Sequence, residues 1–148
     1  MIVIRQESPC SQEAIDLLKR SCEHVFSLQE DFNHTYKLDI LSSNQARFFL
    51  IRKDSLAVGC AAYVHLDKHT VELKHVYLDD SLRGLGCGKE LLLHIERIAK
   101  HNQVKIIVLE TLFGMVAAYA MYQKYGYVEC ESYIENPLND SIFMKKEI

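Results

Sequence analysis

Thr70-Val71-Glu72-Leu73-Lys74-His75-Val76-Tyr77-Leu78, then Asp79-Asp80-Ser81-Leu82 and Arg83-Gly84-Leu85-Gly86-Cys87-Gly88-Lys89, reads as a strand, a glycine-rich turn and the start of a helix. Alternating glycines let a backbone approach a ligand with no Cβ in the way. A helix opening at Lys89-Glu90-Leu91-Leu92-Leu93-His94-Ile95 adds free N–H groups and a dipole that favour an anion. The stretch therefore has the form of a phosphate cradle, and its spacing excludes two common ones. A P-loop ending at Gly88-Lys89 needs Gly at 83 and Ser or Thr at 90, where Arg83 and Glu90 stand. A dinucleotide fingerprint counted from Gly84 or Gly86 needs a further glycine at 89 or 91, where the chain has Lys89 or Leu91.

Outward from the cradle, residues 2–6 read as a first strand. Ser11 is placed to cap a helix carrying Ala14, Leu17, Leu18, Cys22, Val25 and Phe26 at helical spacing. The pattern weakens from Ser27 to Gln45, and the Gln29–Tyr36 segment suits a short second helix or a loop covering a substrate. Segments 47–52, 56–66 and 70–78, separated by polar turns at Lys53-Asp54-Ser55 and Asp67-Lys68-His69, predict an antiparallel meander. The helix after the cradle puts Leu91, Leu92, Ile95, Ile98 and Ala99 on one face, with Lys89, Glu96, Arg97 and Lys100 elsewhere. Val104–Leu109 is a buried type of strand reached through that helix, so it should run parallel to 70–78 with a right-handed connection. A helix near 115–125 and strands near 127–134 and 140–146 complete a mixed α/β pattern.

The 148 residues suit one domain spanning 1–148, with 49% hydrophobic and 25% charged residues, two prolines and no low-complexity run. A net charge of −3 supplies no basic field for nucleic acid. Met1–Glu7 is a short β-like run followed by charge, unlike a signal peptide, and no segment approaches transmembrane length. The expectation is a cytoplasmic protein with neither a nucleic-acid nor a membrane partner. Five scattered cysteines without C-x-x-C spacing argue against a disulfide framework and a zinc site, so no metal is expected.

Arg83, Gly86 and Gly88 do meet the pattern Arg/Gln-x-x-Gly-x-Gly/Ala. Here the chain resembles the GCN5-related N-acetyltransferase (GNAT) family, whose signature turn binds the pyrophosphate of acetyl-coenzyme A. Leu109-Glu110-Thr111, Ala118 and Met121-Tyr122-Gln123-Lys124-Tyr125-Gly126-Tyr127 resemble that family's "LET…A..LY.K.GF" segment. Ser132-Tyr133 through Asn136-Pro137 and Phe143-Met144-Lys145 resemble the end of a bacterial subgroup of mostly unassigned substrate. The resemblance implies a central mixed, mostly antiparallel sheet flanked by helices, with one parallel pair that splays apart around the cosubstrate. It further implies that Val76, Tyr77, Leu78, Arg83, Gly84, Leu85, Gly86, Cys87, Gly88, Lys89 and Tyr122 hold acetyl-coenzyme A. Met115 departs from the pattern, since many relatives carry Asn there.

What the resemblance implies chemically is direct acetyl transfer to a primary amine in a ternary complex: a small molecule, an amino acid or a protein N-terminus. A coenzyme-A-binding sensor or interaction module is the alternative, and a homodimer is compatible with either. An ammonium with a pKa near ~10.4 must lose a proton before it attacks, so a base is needed near pH 7. Glu72 matches the position of the base in the histone-acetylating branch, and Glu110 that of the branch acetylating ribosomal-protein N-termini. Either carboxylate could instead pair with Lys74, Lys105 or a rim group. Tyr122 matches the residue that returns a proton to the departing thiolate, although Tyr119, Tyr122 and Tyr125 share one helix and could all be packing residues. A backbone N–H at Tyr77 or Leu78 is the expected donor to the acetyl oxygen. Cys87 is not read as a nucleophile. His65, His69 and His75 are read as solvated or rim residues, and Glu30, Asp31, Glu72 and Glu110 as acidic groups at the mouth.

Overall fold

The computed structural model describes residues 1–28, 37–135, 137 and 139–148, excluding the side chains of 24–28. The Gln29–Tyr36 segment, with Glu30 and Asp31, lies outside the described residues, as do Asn136 and the side chains of Val25 and Phe26. The elements are β1 (Ile2–Gln6), α1 (Gln12–Leu28), α2 (Leu38–Leu41), β2 (Ala46–Lys53), β3 (Leu56–His65), β4 (Thr70–Leu78), α3 (Cys87–His101), β5 (Ile106–Leu112), α4 (Val116–Lys124), β6 (Val128–Cys130) and β7 (Ser141–Glu147). A single 3₁₀ turn at Asp80–Leu82 leads from β4 to the cradle. The strands form one sheet in the order β1-β2-β3-β4-β5-β7-β6. Every neighbouring pair is antiparallel except β4 and β5. The predicted sheet is thus present, with β6 shorter than the expected 127–134.

The continuous apolar run Phe48-Phe49-Leu50-Ile51 has a plain cause. Successive side chains of a strand point to opposite faces, and here both faces are covered. Phe48 and Leu50 pack with Ala14, Leu17 and Leu18 of α1. Phe49 and Ile51 join Leu91, Leu92, Ile95 and Ala99 of α3 and Tyr122 of α4. The Ser11 hydroxyl accepts from the Ala14 amide at 3.1 Å, which caps α1 as its position suggests. Glu96 corrects the expected face of α3: it is buried, and it accepts from Lys146 Nζ at 2.8 Å.

Two irregularities of β4 shape the sheet around the cradle. Its pairing with β5 runs only from Thr70↔Ile106 to Leu73↔Leu109, so the two parallel strands part beyond Leu73. Against β3 the register shifts between Cys60↔Tyr77 and Ala62↔Lys74, so one residue of β3 faces two of β4, His75 and Val76. That bulge resets the alternation of faces. Val71 and Leu73 before it, and Val76 and Leu78 after it, all turn to the α3 side, whereas Tyr77 turns to the α1 side. His75 sits in the bulge with φ +55° and is buried, which corrects its reading as a solvated or rim residue. Non-glycine residues rarely hold that backbone, though histidine is among the more tolerant.

Candidate active site

The parting of β4 and β5 opens a cleft of about 100 Å³ lined by Glu72, Lys74, Val76, Glu110, Met115 and Tyr122, among others. The two proposed bases and the proposed acid, scattered over three elements, thus meet at one opening. Glu72 stands opposite Val108 in the parallel register. Since Val71, Leu73, Ile107 and Leu109 belong to the α3-side core, Glu72 and Glu110 project from the other face, toward α1. Ser21 of α1 also borders the cleft.

Both carboxylates already carry partners. Glu72 Oε2 accepts from the Tyr133 hydroxyl at 2.6 Å, and its Oε1 lies 3.5 Å from Lys74 Nζ. Glu110 Oε2 accepts from Ser141 Oγ at 2.6 Å. Of the pairings open at the sequence level, Lys74 is present for Glu72, while a β7 serine serves Glu110. Burial, then the charge of Glu72, pushes the Tyr133 phenol well above its ordinary value, so it stays protonated and able to donate. Sequence reading attached no role to Tyr133, because its contact with Glu72 spans 61 positions and leaves no local spacing signal.

Tyr122 is buried against Tyr127, with ring centroids 5.7 Å apart, and burial pushes its phenol well up. It therefore stays protonated at neutral pH, on the lining of the cleft. Tyr119 and Tyr125 pack against the core, as read. Met115 caps α4 without a side-chain hydrogen bond to the helix and receives a long contact from Thr111 Oγ1 at 3.8 Å.

The cradle tests whether a phosphate would fit. Gly84 and Gly86 hold left-handed backbones, φ +74° and +71°, and a Cβ built on either would meet nothing within 4 Å. Gly86 opens α3 with no side-chain cap, so the first amides of a 15-residue helix face outward and are available to an anion. Gly88 has another role: its added Cβ would overlap Met121 Sδ of α4, so this glycine lets the two helices approach. Arg83 is exposed and pairs with Asp80 at 3.0 Å. Lys89 is exposed at the first turn. Leu85 and Cys87 also line a separate hollow of about 270 Å³ beside Ile2, Ile4 and His94. Burial pushes the Cys87 thiol up, away from nucleophilic use.

Of the two amides expected to meet an acetyl oxygen, the strand order separates one. The Asp79 amide donates to Val58 O of β3 at 2.9 Å. By the two-residue alternation Tyr77 also faces β3, and Leu78 faces the gap. The Tyr77 amide is thus taken by the ladder, which corrects that half of the expectation.

The acetyltransferase (GNAT) family model matches residues 12–127. A protein named IAA acetyltransferase from Azospirillum brasilense is 27% identical over 152 residues, covering 99% of this chain and 98% of its own. Among solved structures, a Klebsiella pneumoniae protein described as an acyl-CoA N-acyltransferase is 29% identical, with TM-score 0.81 and coverage of 99% and 97%. A GNAT-family acetyltransferase from Elizabethkingia anophelis, solved with acetyl-CoA bound, shares the fold at 20% identity, TM-score 0.74 and coverage of 99% and 98%.

Proposed function

The chain belongs to the acetyltransferase (GNAT) family, and from that premise we propose that it carries an acetyl group from acetyl-coenzyme A directly to a primary amine, with both substrates bound together. The observation that carries this reading is the cleft where β4 and β5 part, which gathers Glu72, Glu110 and Tyr122 beside the open cradle at Gly84 and Gly86. The first amides of α3 and the backbone of Gly84–Gly88 would hold the pyrophosphate, with Arg83 and Lys89 adding exposed positive charge. Val76 and Leu78 border the gap along which the rest of the cosubstrate would lie, and the Leu78 amide is oriented to donate to the acetyl oxygen.

On the α1 face, Glu72 takes a proton from the ammonium, the neutral nitrogen then forms the new bond to the acetyl carbon, and its second proton passes to solvent. The carbon–sulfur bond breaks, and Tyr122 gives its proton to the leaving thiolate. Two carboxylates against one lysine leave the acceptor side net negative, which favours a cationic amine.

The test is release of free thiol from acetyl-coenzyme A across a panel of small amines, amino acids and peptides, with wild type, Glu72→Gln and Glu110→Gln. Glu72→Gln should lose about 10²–10⁴ in turnover, with the deficit shrinking as pH rises and more free amine is present. Full activity in Glu72→Gln with collapse in Glu110→Gln moves the base to β5. Tight cosubstrate binding without turnover on any amine replaces the enzyme reading with a coenzyme-A-binding sensor.

A further inference from the structure

Glu72 is held from a distant part of the chain. Tyr133 lies in the connection between β6 and β7, and its ring meets Phe143 edge-on, centroids 5.2 Å apart at 81°. Phe143 stands opposite Glu110 in the β5–β7 register, on the face that Glu72 shares. Tyr133 therefore spans β7 and β5 on the acceptor face, and its hydroxyl ends on Glu72 Oε2 at 2.6 Å. One carboxylate oxygen is engaged by this bond. The other, Oε1, is left with only the looser approach of Lys74 at 3.5 Å.

We propose that Tyr133 is a positioning residue for the acetyl-transfer base: by holding Oε2 it fixes the Glu72 carboxylate so that Oε1 receives the proton of the acceptor amine. This rests on Glu72 being that base. A free glutamate side chain samples several rotamers, and a hydrogen bond from a ring itself held by Phe143 restricts them before the substrate arrives. Among the described residues, the titratable or charged groups lining the cleft are Glu72 itself, Lys74 and His75 of β4, Glu110 of β5 and Tyr122 of α4, and α1 contributes only Ser21. Tyr133 reaches Glu72 from the β6–β7 connection. Lys74 approaches Oε1 at 3.5 Å, and the Tyr133 hydroxyl is the directed donor to Oε2.

Tyr133→Phe removes the donor and keeps the ring against Phe143. With folding checked by circular dichroism, kcat and KM are measured for wild type and variant. Turnover should fall about 10- to 100-fold with the acetyl-coenzyme A KM unchanged, and the same change in a Glu72→Gln background should add nothing. Full turnover in Tyr133→Phe while Glu72→Gln is crippled, or a further loss from Tyr133→Phe in the Glu72→Gln background, overturns the proposal and leaves the base assignment standing. Wild-type turnover in Glu72→Gln overturns the base assignment itself, and this proposal with it.

Discussion

Gly88→Ala separates two roles that the cradle's glycines share on paper. At Gly88 the backbone is ordinary for a helix, but an added methyl overlaps Met121 Sδ, so α3 and α4 must move apart or Met121 must leave its rotamer. Moving that flexible side chain costs about 1 kcal/mol, set against the roughly 0.5–1 kcal/mol that alanine gains over glycine within a helix, so the coupling to Met121 and not the Tm alone reads the contact. At Gly86 the space is open and only the φ of +71° resists a side chain, at about 1–2 kcal/mol for Gly86→Ala. For a chain of this size each kcal/mol lowers Tm by about 2–4 °C, which differential scanning fluorimetry resolves. The two variants then diverge on a second change. Adding Met121→Ala to Gly88→Ala removes the overlapping sulfur, so the pair should show a coupling of about 0.5–3 kcal/mol, while Met121→Ala with Gly86→Ala should be additive. Acetyl-coenzyme A affinity should fall in Gly86→Ala through the displaced cradle amides. No coupling between Gly88→Ala and Met121→Ala would refute the helix-contact role.

Tyr122→Phe should lower turnover about 100-fold or more while leaving cosubstrate affinity near wild type, read from steady-state and binding measurements; an unchanged kcat would return Tyr122 to the core. Lys146→Met leaves Glu96 buried without its 2.8 Å partner and should cost up to about 3–5 kcal/mol in urea unfolding, most of it recovered by adding Glu96→Leu; a cost below half a kcal/mol would dismiss the pair. Arg52 donates to both oxygens of Glu7, at 2.8 and 2.9 Å, and holds that carboxyl below its ordinary 4.5. A lowered acid stabilises above its unfolded value and loses that contribution as pH falls through the folded one. The stability gap between wild type and Arg52→Ala should therefore be full at neutral pH and close below 4.5, and urea midpoints showing a gap constant to about pH 3 would contradict the assignment.

The order of elements, the parallel pair and the glycine turn between β4 and α3 were legible in the sequence because each has a local cause. Alternation of apolar residues sets a strand, helical spacing sets a helix face, and glycine spacing marks a backbone that must pass close to something. The acetyltransferase family followed from the same local motifs, and so did the candidacy of Glu72, Glu110 and Tyr122.

What only the tertiary structure decided depends on residues that meet from far apart. The bulge at His75 depends on the register between β3 and β4, which no spacing in β4 alone reveals, and it is what turns Val76 and Leu78 to the face shared with α3. That Gly88 also lets α3 approach α4 was visible only once α4 placed Met121 against it. Glu96 looked exposed until Lys146 of β7 came within 2.8 Å. Tyr133 belonged to a resembling segment but had no chemical role, yet chain folding puts its hydroxyl on the candidate base. Local sequence encodes the preference of each segment for its own conformation; which side chains then share a charge, a proton or a van der Waals surface is set by the sheet that brings those segments together.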